Sequence, residues 1–234
     1  MILEVCANSF ESAKIAQESG AHRIELCVDL SVGGLTPPRS LIEKVTTQLS
    51  IETQVLIRPR AGNFIYSKKE LTQMIEDIKF CQEIGCAGVV SGSLTAKDTL
   101  EVEMTKQLIH AALGMEFTFH RAFDLVDNPW ITLDQLIQLG VTRLLSSGQA
   151  PKASLGISLL SDILEKSEGK IQIMPGSGIT SQNALIFKNA GFQMIHFSAI
   201  QKSNSSKSQD LFRSDVNGFS DGDEIQKIKQ ITQG

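Results

Sequence analysis

At 234 residues, with a formal net charge of −4 and 41% hydrophobic residues, the chain suits one α/β barrel and is short for two enzyme domains. The mild acidity and lack of a basic run exclude a nucleic-acid patch, and no apolar run approaches the roughly 18 residues of a membrane span. Neither a basic nor an apolar leader segment opens the chain, and four cysteines make no disulfide framework, so a cytoplasmic protein without membrane association is expected.

Short β-type runs alternate with amphipathic helical runs from end to end. Strands are predicted over 2–6, 23–27, 54–58, 88–91, 116–120, 143–146, 171–174 and 194–197. The first helix opens on Ser9 as an N-cap, with Ser12 where a capping box would have Glu, and ends at Gly20. The second follows Pro38, which fits a first helical position. In the third, Leu71, Met74, Ile75, Ile78 and Cys81 recur at helical spacing up to Gly85. The fourth closes at Gly114, the fifth runs from Ile131 to Leu139, and the sixth from Leu155 to Leu164. The seventh spans 184–190 and the eighth 224–231. Eight such βα repeats predict a (β/α)8 TIM barrel over an open doubly wound sheet, the more so because no Gly-x-Gly-x-x-Gly follows the first strand. The chain is read as one domain, 1–234, with a polar insertion at about 201–223. That insertion reads as a surface loop or as a lid anchored by Phe212.

The first two strands repeat a pattern, Leu3-Glu-Val-Cys6 and Ile24-Glu-Leu-Cys27. Residues two apart in a strand share a face. One face therefore collects Glu4, Cys6, Glu25, Cys27, Arg58, Ser91, Thr118, His120, His196 and Ser198. The other collects Leu3, Val5, Ile24, Leu26, Val55, Ile57, Phe117, Phe119, Ile195 and Phe197, and suits packing under the helices. Buried carboxylates need partners, and two acids, one arginine and two histidines approximately neutralise one another. The polar set reads either as a self-satisfying plug or as a functional mouth at the C-terminal strand ends. Cys6 and Cys27 lie on strands about 4.8 Å apart. They suit a soft ion such as Cu(I) and equally suit two small buried core residues. Cys81, Cys86, His22 and His110 carry no predicted role, and Trp130 is a packing anchor. After the seventh strand, Gly176-Ser177-Gly178, together with Ser198 after the eighth, either offers backbone N–H groups to phosphate or another small anion or is simply a turn. The 59–66 loop is placed to reach over the same mouth.

The runs Leu3-Glu-Val-Cys-Ala7, Arg23-Ile-Glu-Leu-Cys27, Gly33-Gly-Leu-Thr-Pro37, Ile57-Arg-Pro-Arg60, Phe119-His-Arg-Ala-Phe-Asp124 and Pro175-Gly-Ser-Gly-Ile179 resemble the CutC family. Those proteins are named for copper homeostasis. The likeness runs in order to about Ser198. It implies a cytoplasmic (β/α)8 barrel, a homo-oligomer taken here as a dimer, and Cu(I) bound through the thiolates of Cys6 and Cys27.

Two functions from different classes follow. One is Cu(I) binding in copper homeostasis, with copper as the partner. The other is an enzyme acting on a small, possibly phosphorylated, anionic metabolite. In that reading Glu4 and Glu25 are the acid/base pair and Arg58, His120 and His196 stabilise charge. The Gly176–Gly178 loop and Ser198 hold the anion. Neither function requires an organic cofactor.

Overall fold

A computed structural model describes residues 1–200 and 218–233. Among these residues eight strands alternate with eight α-helices. The strands are β1 (Ile2–Ala7), β2 (Arg23–Leu26), β3 (Glu52–Leu56), β4 (Gly88–Ser91), β5 (Glu116–Phe119), β6 (Arg143–Ser146), β7 (Gln172–Pro175) and β8 (Met194–Phe197). The helices are α1 (Phe10–Glu18), α2 (Arg39–Gln48), α3 (Lys68–Glu83), α4 (Val102–Ala111), α5 (Pro129–Gln138), α6 (Ile157–Ser167), α7 (Ala184–Asn189) and α8 (Gly222–Gln233). All the ladders are parallel, each of β1 to β6 pairs with the strand that follows it, and β8 returns to pair with β1. A bridge between Gly176 and His196 joins β7 to β8 and closes the ring. This is the predicted (β/α)8 barrel. Among the described residues no helix is long and apolar enough to cross a membrane.

Local chemistry explains the helix starts. Ser9 Oγ accepts from Ser12 N–H, as expected of the N-cap. Ser67 and Glu70 form a reciprocal capping box at α3, whose Ser-x-x-Glu signature stands in the sequence. Asn128 caps α5 immediately before Pro129. Pro38 turns out to be the N-cap of α2 and not its first residue. The sixth helix starts two residues later than predicted, because Gly156 sits at its N-cap and leaves Leu155 in the preceding loop, 71% exposed. Strand 3 is shifted to Glu52–Leu56, so Arg58 lies in the following loop. The predicted 201–223 insertion, including Phe212, falls mostly outside the described residues. Its last two positions belong to α8, and Ser220 pairs with Ile200.

The ten residues assigned to the aliphatic face all join one core cluster between strands and helices. The interior has its own floor. Arg143, fully buried, donates to Glu116 at 2.8 Å and to Thr118 at 2.9 Å, and Gln54 donates to the same Glu116 oxygen at 2.8 Å. Gly88 makes room for this layer, since a Cβ there would stand 2.0 Å from Gln54 Oε1 and 2.6 Å from the Glu116 carbonyl. Above the floor, Cys6, Cys27, Leu56 and Val90 pack together. A cavity of about 1030 Å³ lies above them, at the C-terminal strand ends, where barrels place their sites.

Candidate functional site

The cavity is lined by Cys6, Glu25, Arg58, His120 and His196, and by Ser177, Gly178 and Ser198 on its far side. Glu4 and Cys27 are fully buried beneath it. Gly176 stands behind His196, with which it forms the closing bridge.

Glu4 is the electrostatic centre of the wall. Its Oε2 accepts from Arg23 Nε at 2.6 Å, and its Oε1 lies 2.8 Å from His196 Nδ1. The expected neutralisation of the acids by Arg58 is therefore corrected, because Arg23 takes that role. Arg23 stands beside Glu4 across the β1–β2 ladder, and its Nη2 rests against the sulfurs of Met174 and Met194. Its spacing of two from Glu25 was a sufficient sequence signal, obscured by its position at the predicted strand start. Burial pushes the Glu4 carboxyl upward. The hydrogen bond and charge of His196 outweigh that, helped by Arg23 and Arg143, and hold Glu4 at about 2. Burial likewise opposes charge on His196, but Glu25, Cys6 and Glu4 keep its imidazolium well above the usual histidine range.

Glu25 has no such partner. Burial raises it to about 7 against the pull of His196, with Glu4 adding repulsion, and among the described residues its buried Oε2 has no hydrogen-bond partner. The two glutamates thus sit on opposite sides of the ordinary carboxylate range. Of the pair, only Glu25 can exchange a proton near neutrality.

The thiols of Cys6 and Cys27 are free and 3.3 Å apart, although Cys6 faces Glu25 in the ladder. The hydrogen bond to Cys27 and burial push the Cys6 thiol well up. One ligand atom each from Cys6, Glu25 and His196 lies within 4.8 Å of the others. With Nδ1 engaged by Glu4, Nε2 is the His196 nitrogen left for an ion, an arrangement in which a carboxylate orients a ligating imidazole.

Arg58 and His120 occupy another corner. Arg58 donates to the backbone carbonyls of Val32, Gly34 and Gly62, fastening two βα loops. His120 Nδ1 accepts from Ala122 N–H at 3.3 Å. Phe64, from the 59–66 loop, lies against both, 4.9 Å from the guanidinium and 4.6 Å from the imidazole. Burial, with the Arg58 charge, lowers His120 to about 3, so the ring is neutral. Gly92 lets the ring sit there, since a Cβ would come within 2.7 Å of Nδ1.

On the β7–β8 side, Ser177 takes a left-handed φ of 90° and donates its hydroxyl to the Pro151 carbonyl. Beyond it, Ser181 donates from its backbone and its hydroxyl to the Glu224 carboxylate at 2.7 and 2.9 Å. Asp124 is a further residue without a predicted role. It accepts from Ser146, from the backbone N–H groups of Ser147 and Gln149, and from Arg121, and so holds the β6–α6 loop at the rim. Its place five residues past the β5 end was the available signal.

The fold and the site together define a single-barrel protein whose mouth presents paired thiols, an unpartnered carboxylate and an oriented imidazole. The chain belongs to the CutC family, whose sequence pattern matches residues 1–201. The family protein CutC of Pasteurella multocida (strain Pm70) is 41% identical over 230 residues, covering 92% of this chain and 94% of that one. Its counterpart in Glaesserella parasuis serovar 5 (strain SH0165) is 39% identical and covers 99% and 97% respectively. A crystal structure of a proposed copper homeostasis protein CutC from Streptococcus agalactiae superposes with a TM-score of 0.81. It is 32% identical and covers 85% of this chain and 98% of that one. N-(5'-phosphoribosyl)anthranilate isomerase from Pyrococcus furiosus is 13% identical with a TM-score of 0.62 and shares the fold alone.

Proposed function

We propose that this protein binds Cu(I) at the barrel mouth through the thiolates of Cys6 and Cys27, with His196 as a third ligand, in copper homeostasis. The observation that carries the reading is the Cys6–Cys27 sulfur separation of 3.3 Å beside the Cys6, Glu25 and His196 cluster. Two sulfurs and an imidazole are a soft donor set, which favours Cu(I) over hard cations such as Mg²⁺. Glu25, a hard donor, is better suited to accept a proton displaced by the ion than to hold the ion. The raised Cys6 thiol and the imidazolium of His196 must both lose protons to ligate. Affinity therefore rises with pH, by about tenfold per pH unit for each proton released. Four free cysteines are consistent with a reducing cytoplasm. Homodimer formation, part of the same proposal, is checked by light scattering. Anaerobic Cu(I) titration against a competing chelator tests the site. A Cys6→Ser/Cys27→Ser variant is expected to lose at least a hundredfold in affinity, and unchanged affinity in that variant refutes the assignment.

A further inference from the structure

The glutamates and thiols account for one wall of the cavity, and the corner opposite carries two features they leave unexplained. Arg58 is 6% exposed, yet among the described residues no carboxylate pairs with it. Its guanidinium donates to three backbone carbonyls and lies beside the neutral Tyr66 hydroxyl, partners that offset its charge only partly, and among the described residues its Nε–H is buried with no acceptor within hydrogen-bond distance. Tyr66 supplies no counter-charge, because burial pushes its phenol up to about 12. His120 is 5% exposed. Its Nδ1 already accepts from Ala122 N–H, which places the ring proton of the neutral imidazole on Nε2. Among the described residues that Nε2–H also has no acceptor. A buried cation without a counter-ion and a buried donor without an acceptor are both costly. Both residues line the same cavity, and both pack on Phe64.

We propose that the Arg58–His120 corner binds the carboxylate of a small organic acid, giving the mouth a ligand site separate from the thiols. One uncompensated cation matches one carboxylate. The polarity of the rest of the mouth supports a monoanion over a phosphate. Glu25 and Asp221 line the cavity and, among the described residues, neither forms a salt bridge, and the Ser181 donors on the β7–β8 side already hold the carboxylate of Glu224. Ser177 has turned its hydroxyl to Pro151. The hydroxyls of Ser177 and Ser181 in the loop that commonly receives phosphate in such barrels are thus turned to partners within the chain, whereas the buried side-chain donors without a partner, on Arg58 and His120, lie across the cavity.

The test uses the full chain, freed of metal by chelation, so that its result is independent of the copper reading. Pyruvate, 2-hydroxybutyrate and benzoate are titrated with their methyl esters as uncharged counterparts and inorganic phosphate as a comparison. Histidine ring ¹⁵N and backbone amide resonances are followed. At least one acid is expected to bind tenfold or more tightly than its ester and to move the His120 Nε2 resonance. Arg58→Gln, checked for folding by its amide spectrum, is expected to weaken that acid at least tenfold. If Arg58→Gln does not fold, the His120 resonance in the unaltered protein decides. The proposal is overturned if none of the acids moves that resonance up to about 10 mM, or if phosphate binds more tightly and shifts the Ser177 and Gly178 amides instead.

Discussion

Replacing Glu4 by Gln should be among the most damaging single changes in the barrel interior. Glu4 is fully buried and holds two cations at once, Arg23 at 2.6 Å and His196 at 2.8 Å. The amide keeps the shape but leaves Arg23, only 3% exposed, with a buried charge and no counter-ion. Breaking such a pair from one side costs about 3–5 kcal/mol. For a domain of this size each 1 kcal/mol moves Tm by about 2–4 °C, so a fall of about 6–20 °C is expected. The environment of Arg23 suggests the compensating change, because the sulfurs of Met174 and Met194 lie 3.5 and 3.6 Å from its Nη2. Glu4→Leu/Arg23→Met removes both charges into an already apolar setting and should recover most of the loss, as buried pairs replaced together often do. Urea denaturation of Glu4→Leu, Arg23→Met and the double variant forms a thermodynamic cycle. If Glu4→Gln costs less than about 1 kcal/mol, or if the double variant loses the sum of the singles, the buried pair does not organise this wall.

The acids also set the pH profile of the metal-free protein. Glu4, held at about 2 against an ordinary 4.5, contributes stability that is full above pH 4.5 and is lost as pH falls toward 2. Glu25, raised from 4.5 to about 7, behaves oppositely. Its contribution is full below pH 4.5 and is lost as pH rises through 7, so Glu25→Gln should flatten the stability profile between those values in urea melts. Gly88→Ala should cost about 1–3 kcal/mol in urea denaturation, because the added methyl meets Gln54 and the Glu116 backbone in the floor, and a neutral outcome would mean that the floor can yield. Asp124→Asn removes a charge from several hydrogen bonds to the β6–α6 loop. It should cost about 1.5–3 kcal/mol, with faster hydrogen exchange at the amides of Ser147 and Gln149 and no change at the Cys6 amide.

Much of this barrel was legible in the order of residues. Alternation of Leu3, Val5, Ile24 and Leu26 with Glu4, Cys6, Glu25 and Cys27 assigned inside and outside correctly, because in a strand the side-chain period is two whatever the neighbours do. The helices were legible from their glycine ends and from caps such as Ser9. Partnership was not. The sequence places Arg23, Arg58 and Arg143 on strands or strand ends in the same way, yet one neutralises Glu4, one anchors backbone carbonyls and one closes the floor with Glu116. Those choices depend on ladder register and barrel stagger, which bring β8 beside β1 across 192 positions of chain to set His196 on Glu4. The same stagger places the Cys6 and Cys27 sulfurs 3.3 Å apart although the two residues are not ladder partners. The sequence by itself determined which side chains face the barrel interior, through the local geometry of strands. Only the tertiary structure decided which charges meet and which stay unpaired, because electrostatics acts through space and burial is a property of the closed barrel.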